Sequence, residues 1–365
     1  MPPTPIKLPE ALRLAGLRPP RTLTLAITGA CNLSCSHCWV GAGEPASAGH
    51  VPLRTLRRVI REFAALGGEG VRLTGGDPLC HPHWFELLRF ARSAGFSGIG
   101  LQTNAMLIDD RSAALLRELD FDGLNIQVSF DGATAATHDY VRGAGAFASL
   151  MQGMRRLVQE GLGPRLSIFF SEMRHNLEEI PALLELAEDL GVASVATGTL
   201  VLCGRAAEEA VAAPEPAQYL RLLQRYQEDP EFMRRYRKLG RVAALEWSCG
   251  ATPRGESCTF VENPYLTADG RLYPCVLCHA DPYSVAGVFG MSLERAFVEG
   301  VPLWSKLLQL SESRKEGLPR CQGCPERQNC AGGCMGRAWG SFGDLMAADD
   351  RCEIRRAVAE AKAED

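Results

Sequence analysis

Short apolar segments alternate with amphipathic stretches along the first two hundred residues of the chain. The short segments are rich in β-branched and aromatic residues, which is typical of strands; they are Thr22–Ile27, Gly70–Thr74, Gly98–Thr103, Leu124–Phe130, Leu166–Phe170 and Ala193–Val201. The amphipathic stretches repeat apolar residues at helical spacing and are Leu53–Leu66, Trp84–Ala94, Arg111–Leu119, Leu150–Glu160 and Leu177–Leu190. This alternation predicts parallel βαβ units, and hence an open sheet or a partial barrel. The spacing alone leaves a doubly wound sheet and an incomplete barrel as alternatives.

Three cysteines, Cys31, Cys35 and Cys38, lie directly after the first predicted strand, in the run CNLSCSHC. Parallel α/β folds bind ligands at the carboxyl ends of their strands, so we expect this run at a ligand-binding edge. Four thiolates close a [4Fe–4S] cluster, and a local set of three leaves one iron open to a small molecule. A zinc site or a chance group of structural thiols is the alternative interpretation.

Composition indicates the class of protein and the redox compartment in which these cysteines occur. With 365 residues, 46% hydrophobic residues and a formal charge of −4, the chain has an ordinary globular composition and room for two domains. No apolar run reaches the roughly 18 residues of a membrane span, and the Pro-rich N-terminus lacks a signal-peptide core. We therefore expect a cytoplasmic protein, in which dense cysteines serve metals rather than disulfides. Without a long basic run, nucleic-acid binding is not expected.

The spacing of the cysteine trio resembles that of the radical S-adenosylmethionine (radical SAM) superfamily, in which the open iron binds and reduces SAM. After the second strand, the run Gly75-Gly76-Asp77-Pro78 resembles the family's GGEP segment, with Asp in place of Glu. The resemblance implies that this segment holds the SAM amino group. Two glycines permit close backbone approach, and a carboxylate suits an ammonium group. A plain turn is the alternative interpretation.

Later strand ends extend the resemblance. The matching residues are Asn104 in QTN, Ser129 and Asp131 in SFDG, and Arg142 in YVRG. In the family the serine and aspartate lie near the SAM ribose, and the arginine pairs with the SAM carboxylate, which its planar fork suits. Gly204-Arg205-Ala206 is similar to a segment that closes many such barrels. His37 fills a position that is usually aromatic, and we expect it to pack beside the cluster rather than ligate it.

A second group of cysteines occupies the last third of the chain. They follow the pattern C-x11-G-x4-C, then C-x2-C-x5-C-x3-C, and then a final cysteine after 17 residues. The cysteines are Cys258, Cys275, Cys321, Cys324, Cys330, Cys334 and Cys352. This pattern resembles the SPASM extension of radical SAM enzymes that mature peptides and proteins. A zinc ribbon would account for four of the seven at most.

The resemblance implies two auxiliary [4Fe–4S] clusters in addition to the SAM-cleaving one. The implied ligands of auxiliary cluster II are Cys321, Cys324, Cys330 and Cys352. Those of auxiliary cluster I are Cys258, Cys275 and Cys334, with Cys249 as the candidate fourth ligand. Cys278, which forms C-x2-C with Cys275, could compete with Cys249. We interpret Cys80 and Cys203 as small buried hydrophobic residues, although Cys80 could instead face the substrate.

The resemblance implies a partial (β/α)6 TIM-like barrel with a C-terminal iron–sulfur extension. The expected units are an N-terminal extension (1–20), the radical SAM barrel (21–205), a helical bridge (206–245), the SPASM domain (246–352) and a C-terminal helix or tail (353–365). Within the SPASM domain, Asp269-Gly270 predicts a hairpin turn that brings Cys258 and Cys275 together. Leu293–Val298 predicts a short surface helix.

The activity that the resemblance implies is reductive cleavage of SAM to a 5′-deoxyadenosyl radical, which abstracts hydrogen from a peptide or protein. The modification would be a thioether, a carbon–carbon crosslink or an epimerised residue. Sulfatase maturation is disfavoured because Val276 stands where that subfamily has an aspartate base. A small-molecule or haem-like cofactor pathway is one alternative, and a non-catalytic iron–sulfur or zinc protein that carries electrons is another.

The expected partners are the peptide or protein substrate and an electron donor such as a flavodoxin or a ferredoxin. Many peptide maturases carry an N-terminal leader-binding domain of roughly 80 residues. Only 30 residues precede Cys31, too few for a domain with its own core. We therefore expect leader binding, if the enzyme uses it, to involve a separate protein or another surface.

Overall fold

The computed structural model describes residues 7–43, 49–207, 211–242, 245–246 and 258–364. Its strands are β1 (Thr22–Thr28), β2 (Gly70–Gly75), β3 (Gly98–Thr103), β4 (Leu124–Phe130), β5 (Leu166–Glu172), β6 (Ser194–Thr199), β7 (Gly240–Arg241), β8 (Tyr265–Leu266) and β9 (Leu272–Tyr273). They form one sheet in the order β7-β6-β5-β4-β3-β2-β1-β8-β9. All neighbours are parallel except β8 and β9, which are antiparallel.

The strand order decides between the two architectures that the sequence left open. Strands β1 to β6 follow one another across the sheet without a reversal, whereas a doubly wound sheet reverses at a switch point. The sheet is not closed, because β7 and β9 form its two outer edges. The prediction of a partial six-stranded barrel is therefore confirmed.

Helices connect successive strands and continue into the last third of the chain. In chain order they are α1 (Leu8–Leu14), α2 (Leu53–Ala65), α3 (Trp84–Ser93), α4 (Asp110–Glu118), α5 (Ala135–Arg142), α6 (Ala146–Gln159), α7 (Ile180–Asp189), α8 (Pro216–Glu228), α9 (Pro230–Leu239), α10 (Leu293–Gly317), α11 (Arg327–Cys330), α12 (Met335–Phe342) and α13 (Cys352–Glu364). In the predicted bridge, α8 and α9 meet at Asp229, whose side chain caps α9.

The two faces of the sheet differ in polarity. On the outer face, Leu25, Leu73 and Leu101 are fully buried in the main hydrophobic core with the helices. The inner face of the six barrel strands is polar and partly exposed. There the Gln102 amide donates a hydrogen bond to Gln127 Oε1 at 2.5 Å. The alternation therefore gives the sheet a polar inner face and an apolar outer face that the helices cover.

The last third of the chain shares the sheet with the barrel. Strand β8 pairs in parallel with β1, and β9 turns back on β8 through the predicted hairpin. Gly270 has a φ of 83°, a conformation that favours glycine. The hairpin prediction is confirmed.

A helix begins at Leu293 as predicted, but it extends far beyond Val298, and it is buried on one side rather than lying wholly at the surface. Helix α10 runs 25 residues and continues through Pro302. Its apolar residues recur every three or four positions, and Phe297, Trp304 and Leu307 are fully buried. Since this stripe spans the whole helix, burial against the barrel outweighs the hydrogen bond lost at the proline.

No helix within the described ranges is long and apolar enough to cross a bilayer.

Candidate active site

The loop after β1 carries the cysteine trio and is tied to its neighbours through the backbone. Cys35 is buried, whereas Cys31 and Cys38 are partly exposed. Asp77 N donates to Ala30 O at 2.9 Å, and Ser36 N donates to Val141 O at 2.9 Å. These bonds hold the loop against β2 and against the end of α5.

The chemistry of the trio fits a cationic cluster. Burial, with a smaller effect of the nearby Asp77 and Cys35, raises the pKa of the Cys31 thiol to about 12. Burial likewise raises the pKa of Cys35. Thiolates are therefore disfavoured here unless positive charge is bound, which is what ligation by iron supplies.

Two glycines bring the end of β2 against the trio loop. Gly75 has a φ of 147°, and a Cβ there would lie 2.1 Å from Thr28 O. A Cβ on Gly76 would lie 2.2 Å from Ala30 O, one residue before the first cysteine. Both positions therefore require glycine for the close approach of two backbones.

Asp77 is buried and joins the ends of β2 and β3. Its carboxylate accepts hydrogen bonds from Leu79 N at 2.9 Å, Thr103 Oγ1 at 2.9 Å and Asn104 N at 2.7 Å. Asn104 Nδ2 in turn donates to Asn32 Oδ1 at 2.8 Å, inside the trio loop. The predicted contact of Asp77 with the SAM amino group stays a prediction; in the structure this carboxylate organises the strand ends around the trio.

Asp131 and Arg142 form a buried ion pair next to the trio. Arg142 Nε donates to Asp131 Oδ2 at 2.6 Å, and His37 Nε2 lies 3.1 Å from the same oxygen. Burial raises the pKa of Asp131, but the charges of Arg142 and His37 outweigh it and hold this pKa far below its usual range. His37 therefore does more than pack: it links the trio loop to the end of β4. The residues around His37 in the sequence do not indicate this contact, because Asp131 lies far away along the chain.

The segment after β6 closes around the same loop. Arg205 donates from Nε to Cys35 O at 2.9 Å and from its backbone N–H to Cys38 O at 3.0 Å. Cys203 Sγ lies 3.7 Å from Trp39 O. Cys80 lies close enough to Cys31 to raise its pKa. The interpretation of Cys80 and Cys203 as buried hydrophobic residues is wrong, because both are partly exposed beside the trio.

Four of the later cysteines line one pocket. Its volume is about 360 Å³ including the space open to solvent, and Arg320 and Arg355 also line it. The cysteines are Cys321, Cys324, Cys330 and Cys352. These are the four that the resemblance to the SPASM extension implies as ligands of auxiliary cluster II. They come from α11, from α13 and from the turn that precedes α11.

A second set lies near the β8–β9 hairpin. Burial, with smaller effects of the neighbouring Cys334 and Cys258, raises the pKa of Cys275 to about 12. Cys278 is buried beside the same three thiols. Cys249 lies outside the described residues. Within the ranges the structure describes, no three Cys, His, Asp or Glu side chains are arranged for a single metal ion.

Comparison with known proteins places this arrangement in a family. Residues 25–187 match the Radical SAM superfamily. The chain is 28% identical over 354 residues to an AdoMet-dependent heme synthase of Methanosarcina barkeri, covering 92% of this chain and 97% of the relative. It is 29% identical over 348 residues to the mycofactocin maturase MftC of Mycobacterium ulcerans, covering 92% and 89%.

A solved structure shows the same fold over nearly the whole chain. Native anSMEcpe with bound AdoMet superposes with a TM-score of 0.74 at 16% identity, covering 94% of this chain and 98% of that one. The likeness therefore includes the last third, as the SPASM-type resemblance predicted. With the trio after β1 and the matched barrel, residues 25–187 of this chain form a radical SAM domain.

Proposed function

We propose that this chain is a three-cluster radical SAM enzyme that modifies a peptide or protein substrate. The trio loop carries the proposal. It is hydrogen-bonded to the segments after β2, β3 and β6 and to the end of α5, so four parts of the barrel hold the three thiols at one rim. An electron carrier that does not bind SAM would not need a trio loop that is held at the strand ends in this way.

The proposed ligands of the first cluster are Cys31, Cys35 and Cys38. The proposed SAM contacts are Gly75, Gly76, Asp77, Asn104, Ser129, Asp131 and Arg142. When bound, the reduced cluster and SAM supply a 5′-deoxyadenosyl radical that takes a hydrogen atom from the substrate. Arg142 meets Asp131 through Nε, so its two terminal nitrogens are the donors that would face the SAM carboxylate.

The two sets of later cysteines would hold the auxiliary clusters. Cys321, Cys324, Cys330 and Cys352 line the pocket assigned to cluster II. Cys258, Cys275 and Cys334 are assigned to cluster I, with Cys249 proposed as the fourth ligand and Cys278 as its competitor. Comparing Cys249→Ala with Cys278→Ala decides between them: the variant that loses about four irons per chain has lost the ligand.

Two substrate classes have support. Similarity to mycofactocin maturase MftC favours a peptide, and this is the function we propose first. Similarity of the same extent to a heme synthase favours a haem-pathway intermediate as the second candidate. In either case a flavodoxin or ferredoxin would donate the electron, and a separate protein or another surface of this chain would recognise any peptide leader.

The test of the shared chemistry is SAM cleavage by the reduced, reconstituted protein. We expect about 12 irons per chain and formation of 5′-deoxyadenosine. Cys31→Ala, Cys35→Ala and Cys38→Ala should each abolish cleavage while about eight irons stay bound. Cys203→Ala, which removes a thiol assigned to no cluster, is the matched control and should keep both. Protein that holds zinc alone, or never cleaves SAM after reduction, would overturn the proposal.

The substrate is tested separately with the active enzyme. Candidate precursor peptides encoded beside the gene and Fe-coproporphyrin III are each incubated with SAM and reductant. A mass change in a peptide supports the first candidate, whereas conversion of the tetrapyrrole supports the second and refutes the first.

A further inference from the structure

The inner face of the six barrel strands carries a single charged side chain, that of Arg72 on β2. Strand pairing places Thr24, Arg72 and Gly100 in one row across β1, β2 and β3. The other residues on this face are Thr22, Ala26, Gly70, Thr74, Gly98, Gln102, Asn125, Gln127, Ser129, Ser167, Phe169, Ser171, Ser194, Ala196 and Gly198. Arg72 therefore places a charge on a face of the sheet that is otherwise neutral.

The guanidinium of Arg72 makes few polar contacts with the described residues. Within the described part of the chain, its one hydrogen bond runs from Nη1 to Thr24 Oγ1 at 3.4 Å, which is long for such a bond. Among the described residues no carboxylate lies within ion-pair distance of it, and burial lowers its pKa. A guanidinium offers five N–H donors, and a buried cation is normally paired.

The neighbouring strand is shaped to admit this side chain. A Cβ on Gly100 would lie 2.9 Å from Arg72 Cγ and 3.3 Å from Arg72 Cβ. Gly100 has no positive φ, so its backbone does not require glycine. The absence of a side chain there instead leaves room for the stem of Arg72 to lie across β3.

Aromatic rings line the wall on the other side of Thr24. Tyr265 on β8 pairs with Thr24, and its ring stacks on His279 with centroids 5.1 Å apart. Trp39, the residue after the third trio cysteine, lies 4.7 Å from the His279 ring. This wall therefore runs from the row of Arg72 to the trio.

We propose that Arg72 binds a carboxylate group of the substrate inside the barrel. The proposal rests on the proposed function and refines it, since it names an acid as the substrate class. Arg72 stands three residues, or roughly 10 Å, before the end of β2. A carboxylate held there by a bidentate guanidinium leaves the rest of the substrate directed along the aromatic wall toward the trio.

Binding measurements with matched acids and neutral forms test the proposal. The tetrapyrrole arm compares Fe-coproporphyrin III with its tetramethyl ester. The peptide arm compares a pool of ten-residue peptides with free C-termini with the same pool amidated. In the wild-type holoenzyme at least one acid should bind roughly tenfold to hundredfold more tightly than its neutral form. The arm in which this occurs identifies the source of the carboxylate.

Three variants show whether Arg72 causes the preference. Arg72→Gln should abolish it, and Arg72→Lys should restore part of it. Gly100→Ala, which keeps the arginine but displaces its stem, should weaken it. Arg54→Gln removes an exposed arginine of α2 and should leave the preference unchanged.

The proposal is overturned if neither acid is preferred by the wild type, or if the preference survives Arg72→Gln. A failure of the proposed function is distinguishable, because binding is measured without SAM or reductant. The far-UV circular dichroism spectrum of Arg72→Gln should match that of the wild type, and a loss of the fold in this variant would count against a binding role.

Discussion

Arg142 Nε and Asp131 Oδ2 are 2.6 Å apart, in a pair whose side chains are 9% and 0% exposed. Asp131 lies just after β4 and Arg142 is the last residue of α5, so the pair fixes the end of a strand to the helix that follows it. Val141, next to the arginine, accepts a hydrogen bond from Ser36 in the trio loop. The pair therefore stabilises the trio loop as well as the barrel.

Asp131→Asn should destabilise the protein strongly, because it leaves the Arg142 cation buried without a carboxylate. Breaking a buried pair in this way costs about 3–5 kcal/mol. Denaturant unfolding followed by circular dichroism measures the loss. The control is Asp110→Asn, since the Asp110 carboxylate is 93% exposed and its pair with Arg156 contributes less than about 1 kcal/mol. Equal losses in the two variants would contradict the role of the buried pair.

Because of His138, the free energy of unfolding should decrease as the pH falls below the usual pKa of histidine. Burial and the charge of Arg142 lower its pKa to about 4, and its Nδ1 accepts a hydrogen bond from Asp131 N. The unfolded chain binds a proton near pH 6.5 while the folded chain does not, so stability is full above pH 6.5 and is lost toward pH 4. We expect the contribution of His138 to fall by about 1 kcal/mol between pH 7 and pH 5.5.

The variant His138→Gln isolates this contribution. Glutamine keeps a neutral acceptor but does not titrate, so the difference in unfolding free energy between wild type and variant should shrink from pH 7 to pH 5.5. A difference that stays constant over this range would mean that His138 is protonated in the folded protein.

Gly76→Ala should loosen the first cluster without touching a ligand. The new Cβ would lie 2.2 Å from Ala30 O, so the trio loop must move away from β2. We expect iron to fall from about 12 to about eight per chain and SAM cleavage to be lost. Gly98→Ala at the start of β3 is the matched control, because a Cβ there meets nothing within 4 Å. If both variants keep all their iron, the close approach of the two backbones is not needed.

The barrel was predictable from the sequence because its strands bury a continuous apolar face. Runs such as Leu124–Phe130 and Gly98–Thr103 alternate fully buried and polar residues, and the structure has both with the same bounds. The full length of α10 was not predicted, because Pro302 lowers the helix propensity in the middle of the segment. Tertiary burial against the barrel extends the helix past that residue.

The cysteines of the site were predictable from the sequence, whereas many of the contacts around them were not. The resemblance to the SPASM extension, and not spacing, separated Cys334 from Cys321, Cys324 and Cys330, since all four lie in one short run of the sequence. The contact of His37 with Asp131 and the position of Arg72 opposite Gly100 depend on pairing between distant strands. Such contacts follow from register, which one sequence does not reveal.

The crossed assignment of Cys330 and Cys334 leads to the sharpest test of the auxiliary clusters. The two cysteines are four residues apart, yet Cys330 lines the pocket with Cys352, whereas Cys334 raises the pKa of Cys275. Any single alanine variant should lose about four irons, so single variants do not distinguish the sets. Double variants do. Cys330→Ala with Cys352→Ala removes two ligands of one cluster and should still lose about four irons, whereas Cys334→Ala with Cys352→Ala should lose about eight. Iron analysis of the purified, reconstituted proteins gives the answer, and a loss of about four in both doubles would mean that Cys334 and Cys352 serve the same cluster.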